Sequence, residues 1–166
     1  MTRTRSLAVV VATAIIAVSH IARAQAGISV GVGGGVVGST ESSLSDGKSG
    51  AIGMVAVTKS LLPLLGLGAQ VDFLRRSSSN TVFGTGFVKL SLPVLPFSVK
   101  LGAGFGSGDP DGNGSISGAA GLIGLTHDIT LPAAPIAFTV FGNALLAHGS
   151  SRYLQMADIG LALTLK

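Results

Sequence analysis

The chain has 166 residues, enough for one domain of ordinary size, and it contains no cysteine and no tryptophan. Only 11% of its residues are charged, whereas a soluble domain usually has about 25%. Hydrophobic residues make up 47% of the chain. The lack of cysteine excludes disulfides, thiolate metal sites, a cysteine nucleophile and a lipid-modified cysteine. Because no apolar run makes a convincing transmembrane helix, the composition indicates a membrane protein that is not helical.

The N-terminus has the three-part plan of a secretory signal peptide. Arg3 and Arg5 precede an apolar stretch at 7–18, and a run of mostly small residues follows at 22–26. We expect cleavage near Ala26, which gives a signal peptide at 1–26 and a mature domain at 27–166. Without the three basic residues of this segment, eight basic and seven acidic residues remain. The mature chain is therefore nearly neutral and carries no basic surface for nucleic acid.

The mature chain shows a regular alternation of strand patterns and turn signals. Most of the predicted strands have 10 to 13 residues, close to the length that a tilted strand needs to cross the hydrocarbon core of a bilayer. Eight strands are predicted, at 27–37, 50–60, 64–75, 81–92, 97–106, 115–128, 136–147 and 153–165.

Within several of these strands, apolar residues alternate with small or polar ones. In 97–106, one face carries Phe97, Val99 and Leu101, and the other carries Ser98 and Lys100. The strands at 64–75 and 153–165 alternate as clearly, whereas those at 50–60, 81–92 and 115–128 do not separate into two faces. A polar face of mostly glycine, serine and threonine is too poor in charge for a water-facing surface. It suits the lining of a narrow barrel whose apolar face meets lipid.

Leucine–proline pairs divide the connections between strands into two kinds. Leu62-Pro63, Leu92-Pro93 and Leu131-Pro132 mark three short turns, where no ladder donor is needed. The other connections, at 38–49, 76–80, 107–114 and 148–152, are richer in serine, glycine and charge and are predicted to be outer loops. Aromatic residues at strand ends are expected to form two interfacial girdles. These residues are Phe73, Phe83, Phe105 and Tyr153 on the loop side, and Phe97 and Phe138 on the turn side.

With these features the sequence resembles the small bacterial outer-membrane β-barrels of the OmpA/OmpX type. The resemblance covers the whole mature chain and implies an all-β fold, an eight-stranded antiparallel up-and-down transmembrane barrel. It also implies a monomer in the outer membrane of a diderm bacterium, in contact with lipid and inserted by the barrel-assembly machinery. A structural or surface-interaction role without catalysis or a cofactor would follow. The alternating leucines of the last strand match the family pattern, but the terminal Lys166 replaces the usual aromatic residue.

Five polar residues share the expected lumen face and form the candidate functional cluster. Charges in a narrow interior are costly unless paired, so a hydrogen-bonded plug is the expected arrangement. The alternative is a narrow, porin-like pore for small solutes or ions, with selectivity set by the charged members. The five residues are Gln70, Asp72, Lys100, Asn143 and Asp158.

Two further motifs each suggest a functional site, and each also has a simpler interpretation. Asp109, Asp111 and Asn113 resemble the first half of a calcium loop, but Ala120 stands where the bidentate carboxylate is needed. A surface loop without metal is therefore preferred.

His148-Gly149-Ser150 has the His-x-Ser spacing of outer-membrane lipid A deacylases, with Asp158 as the candidate orienting acid. This lipid-modifying enzyme is the second alternative function, and a polar loop without catalytic residues is preferred.

Overall fold

A computed structural model describes residues 26–40, 48–77, 79–92, 94–110, 114–131 and 134–165. Each strand pairs antiparallel with the next, and β8 pairs with β1, so that the sheet closes into a barrel. This confirms the predicted eight-stranded barrel. In the described part of the chain, no helix is long and apolar enough to cross a membrane. The strands are β1 (Ala26–Ser39), β2 (Lys48–Leu62), β3 (Leu65–Arg75), β4 (Asn80–Ser91), β5 (Ser98–Gly108), β6 (Ile116–Thr130), β7 (Ile136–His148) and β8 (Tyr153–Leu165).

Five of the eight strands are longer than predicted, β3 is one residue shorter, and the connections at the loop end are shorter than predicted. The connection between β1 and β2 is confined to residues 40–47, and the one between β3 and β4 to residues 76–79. The strand order places the start of β1 and the three turns at the opposite end, called the turn end here. The predicted signal peptide lies outside the described residues except for Ala26, which begins β1. Its cleavage remains a prediction.

The outer face of the barrel carries a band of apolar side chains without charge. On β3, every outward-facing residue from Leu67 to Phe73 is apolar. Lys59, which pairs with Leu67, and Arg75 mark the two limits of this band. Eight residues of strand span about 26 Å, and a tilt of about 40° reduces this to about 20 Å along the membrane normal. This height approaches the apolar band of outer-membrane barrels. The outer face is therefore suited to lipid.

Four of the predicted girdle residues lie on the outer face, but Phe83 does not. Phe105, Phe138 and Tyr153 are exposed, and Phe73 is half-buried on the outer side of β3. Phe83 is fully buried inside the barrel. The prediction was wrong for Phe83 because β4 could not be oriented from its sequence.

The strands that resisted orientation carry apolar residues on both faces. In β2, Ile52 and Met54 point inward, while Val55 points outward. In β4, Phe83 and Phe87 point inward, and β6 buries Leu122 in the same way. Apolar inward residues remove the contrast between the two faces of a strand, so period-two alternation is lost. The interior is therefore not the uniformly small and polar lining that the clear strands suggested.

Inward-facing glycines make room for the largest side chains of the interior. A Cβ atom at Gly31 would lie 2.8 Å from the Phe141 ring, and one at Gly160 would lie 2.6 Å from it. Gly68 and Gly102 lie in the same way under Phe87. The inside of an eight-stranded barrel is just wide enough to be filled by side chains, so a bulky residue on one strand requires a minimal one on its neighbours.

Two adjacent glycines of β1 allow a matched test of this constraint. A Cβ atom at Gly33 would lie 2.1 Å from the Ile159 carbonyl oxygen, whereas one at Gly34 would meet nothing within 4 Å. We expect Gly33→Ala to lower the free energy of unfolding by about 1–3 kcal/mol through overpacking. Gly34→Ala should be neutral or slightly stabilising. Urea unfolding in detergent micelles, followed by circular dichroism, measures both, and equal effects of the two variants would contradict the packing described.

Candidate functional site in the barrel interior

The structure places all five residues of the predicted lumen cluster inside the barrel. Their strands β3, β5, β7 and β8 each direct the relevant residue inward, and none of the five is more than 7% exposed. The structure connects them into two hydrogen-bonded groups, one around Lys100 and one around Asp158.

The first group joins a cation to a carboxylate through an amide. Lys100 Nζ donates to Gln70 Oε1 at 2.6 Å, and Gln70 Nε2 donates to Asp72 Oδ2 at 2.5 Å. The ammonium also lies 5.3 Å from the centre of the Phe87 ring. Gln70 can serve both partners because its side chain has an acceptor and a donor end. The amide thus couples two buried charges.

The second group lies between β7 and β8, at directly paired positions. Asn143 Nδ2 donates to Asp158 Oδ1 at 2.9 Å. The Asn143 amide oxygen and Lys100 Cε both lie above Gly124, since a Cβ atom there would be 2.5 Å and 3.0 Å from them. The two groups therefore approach each other over one glycine of β6. One oxygen of Asp72 and one of Asp158 have no hydrogen-bond partner.

An apolar layer fills the interior on the loop side of this charged cluster. Leu74 follows Asp72 by two residues toward the loop end of β3, and Met156 lies two residues closer to the loop end than Asp158 on β8. Phe83 adds an aromatic ring to the layer. The members that are at most 1% exposed are Val37, Leu74, Phe83, Ala147, Leu154 and Met156. Sequence reasoning missed this layer, and the only available signal was the apolar character of both faces in β2, β4 and β6.

On the turn side of the cluster, the interior contains a cavity of about 400 Å³, which we call the vestibule. Its inner part is formed by Met54, Phe87 and Lys100, and its walls carry the ion pair of Lys89 and Asp128. Side-chain hydroxyls make up much of the remaining lining. They belong to Ser29, Thr58, Ser60, Thr126, Thr139 and Thr164.

Part of this lining forms a continuous chain of hydrogen bonds from β1 to β4. Lys89 Nζ donates to Asp128 Oδ2 at 3.0 Å, and Thr139 Oγ1 donates to Asp128 Oδ1 at 2.7 Å. Thr139 bonds Thr164 at 2.8 Å, and Thr164 bonds Ser29 at 2.8 Å. Because each hydroxyl has one proton and Asp128 accepts from Thr139, all the hydroxyls of the chain donate toward Asp128. This chain crosses the seam between β1 and β8.

The candidate calcium loop is only partly within the described residues, since Asp111 and Asn113 lie outside them. The backbone oxygen of Asp109 accepts a hydrogen bond from Arg76 Nη2 at 3.0 Å. Among the described residues, no group of three or more histidine, aspartate or glutamate side chains is placed to hold a metal ion. The preference for a surface loop therefore stays a prediction.

The structure does not bring together the three residues of the candidate deacylase motif. His148 is exposed at the end of β7 and meets the Tyr153 ring edge-on at 4.7 Å between centroids. Asp158 lies five residues further along β8 and points into the barrel, where it binds Asn143. The barrel wall separates the two side chains, so Asp158 cannot orient His148.

Two lysines at directly paired positions of β4 and β5 allow a matched test of the charged cluster. Lys100→Met leaves Asp72 and Asp158 buried without a cation, and we expect it to destabilise the barrel by about 3–5 kcal/mol. Lys89→Met removes a partly exposed ion pair and should cost about 1 kcal/mol or less. A double variant with Asp72→Asn should recover part of the loss. Urea unfolding measures all three proteins, and equal costs for the two lysines would contradict the account.

Solved structures similar to this chain are small outer-membrane barrels. Neisserial surface protein A has a TM-score of 0.55 at 9% identity, with 85% of this chain and 96% of that chain covered. Ail, the attachment invasion locus protein of Yersinia pestis, has a TM-score of 0.56 at 13% identity, with 84% and 97% covered. No protein-family model and no curated protein sequence matches the chain. At these identities the likeness concerns the fold, and the chain has the fold of the small eight-stranded outer-membrane β-barrels.

Proposed function

We propose that the protein is an integral outer-membrane barrel with a closed lumen, whose role is structural or surface-interactive rather than that of a pore. The observation that carries this proposal is the apolar layer of the loop-side interior. Leu74, Phe83 and Leu154 are each 0% exposed. A hydrated path through the barrel would have to pass between these side chains, none of which has surface accessible to water.

The charged cluster supports closure from the other side of the apolar layer. Lys100, Asp72 and Asp158 would set the selectivity of the alternative pore, yet all three are buried beneath the layer. Lys100 and Asp72 are also engaged through Gln70. Charges held in this way stabilise a filled interior, whereas a conducting constriction needs charges that face water.

The loop end offers the surface on which a surface role would depend. Arg76 Nη2, in the connection between β3 and β4, donates to the backbone oxygens of Asp109 at 3.0 Å and Pro110 at 2.8 Å. Tyr153 N donates to Thr40 Oγ1 at 2.6 Å. The first two bonds join the connection after β3 to the described start of the connection after β5, and the third joins the start of β8 to Thr40. Residues held in this way present fixed positions to a partner and lose little entropy on binding.

The environment of the barrel follows from the same proposal. The apolar outer band meets outer-membrane lipid, and the barrel-assembly machinery would insert the chain. All eight strands are paired on both sides, so no open edge favours association with a second copy, and we propose a monomer.

Conductance in planar bilayers tests the closed lumen. We expect no steady stepwise current from the native protein, and none from Lys100→Ala, because the closing layer lies on the loop side of that residue. The inserted protein is checked by its shift on an unheated denaturing gel, which shows that a folded barrel is present. Steady unitary currents from folded native protein, changed in ion selectivity by Lys100→Ala, would establish the pore instead.

A further inference from the structure

The vestibule is a cavity whose chemistry the closed-lumen role does not use. It has about 400 Å³ of space, within the usual range of small-molecule sites. The apolar layer lies on its loop side, beyond Phe87 and Lys100, so access is from the turn end. A ligand of this cavity would therefore approach from the periplasmic side of the membrane.

Two lysines face the vestibule from directly opposite positions on neighbouring strands. Lys89 of β4 pairs with Lys100 of β5, and both line the cavity. Like charges directly opposite each other in a sheet are destabilising. The carboxylate that lines the cavity with them is Asp128, so the lining has two positive charges and one negative charge. Asp72 and Asp158 do not line the vestibule and lie toward the loop end, beyond Lys100.

Unused hydrogen-bond donors point to the same kind of ligand. Lys89 donates to Asp128, and its ammonium group has two further N–H donors. Thr126, 7% exposed and in the vestibule lining, has a hydroxyl that is buried in the wall and has no hydrogen-bond partner, and a rotation about its Cα–Cβ bond would turn it toward a ligand. Its neighbour two residues along β6, Asp128, is already occupied by Lys89 and Thr139.

From the lysine pair, the unpartnered Thr126 hydroxyl and the cavity, we infer that the vestibule binds a small oxyanion, the phosphate or carboxylate group of a periplasmic solute. Lys89 supplies the charged hydrogen bonds, Thr126 a neutral one, and Lys100 a second positive charge nearby. Charge-assisted bonds of this type are about twice as strong as neutral ones. Lys100 is already coupled to Asp72 through Gln70, so the oxyanion acts mainly as a further counter-charge for Lys89 beside Asp128. No bond is made or broken, and the lumen stays closed on the loop side.

Equilibrium dialysis of the folded full barrel in detergent against radiolabelled phosphate, at constant ionic strength set by sodium chloride, tests the inference. We expect one phosphate per chain. Lys89→Met should weaken binding at least tenfold, and Thr126→Val, which keeps the side-chain shape, should weaken it severalfold. Lys59→Met, an outward-facing exposed lysine, is the matched control and should leave binding unchanged. Circular dichroism and the gel shift confirm that each variant is folded.

Competition experiments distinguish a phosphate from a carboxylate ligand, and an oxyanion from a neutral polyol. Displacement of phosphate by acetate assigns a general oxyanion site, and failure of acetate to displace it assigns a phosphate site. Displacement by glucose at similar concentration would overturn the inference in favour of a neutral polyol. It would also be overturned if native protein bound no phosphate, or if Lys89→Met and Lys59→Met bound it equally. Conductance is measured separately from phosphate binding. A barrel that conducts would therefore overturn the closed lumen without changing the binding result.

Discussion

The narrow interior of an eight-stranded barrel is the constraint on which the rest of this structure depends. Eight strands enclose only enough space for their own inward side chains. Several large inward residues therefore lie over glycines of nearby strands, as Phe141 of β7 does over Gly160 of β8 and Gly31 of β1. The 25 glycines of the chain reflect this requirement at many inward positions. Closely packed rings and aliphatic chains then fill the loop side and leave the vestibule on the turn side.

The interior has three levels, the apolar layer, the charged cluster and the vestibule. This division follows from where polar groups find hydrogen-bond partners. At the middle level, Lys100, Gln70 and Asp72 are buried and hydrogen-bond to one another. At the turn side, Lys89 and Asp128 remain partly exposed, at 18% and 31% of their side-chain surface. The hydroxyl chain from Ser29 to Asp128 links strands at the closing seam. The loop side has few polar groups, and its buried apolar side chains belong to one packed cluster.

The barrel, its strand order and the outer face could be predicted because they depend on patterns within single strands. In β5, the alternation of Leu101 and Phe105 with Lys100 and Gly104 shows which side meets lipid. The inward position of the five cluster residues followed from the same alternation. The placement of Phe83 could not be predicted, since β4 has phenylalanine on its inner face and valine on its outer face.

Contacts across the lumen were also beyond the sequence patterns. Lys89 and Asp128 are 39 residues apart and lie on strands that are not neighbours. Their contact depends on the register of β4, β5 and β6 and on the tilt of the strands. Neither property can be read from the sequence of a single strand. The apolar layer has the same origin, because Val37, Leu74 and Met156 come from three separate strands.

The most direct test of the three-level interior uses the absence of cysteine from the chain. Single cysteines introduced at Thr58 in the vestibule, at Met156 in the apolar layer and at Val55 on the outer face can each be treated with a small, charged, water-soluble thiol reagent. We expect rapid labelling of the folded, membrane-inserted protein at position 58 alone, and labelling of all three positions after unfolding. Rapid labelling at position 156 in the folded barrel would show that water reaches the apolar layer and would contradict a lumen closed on the loop side.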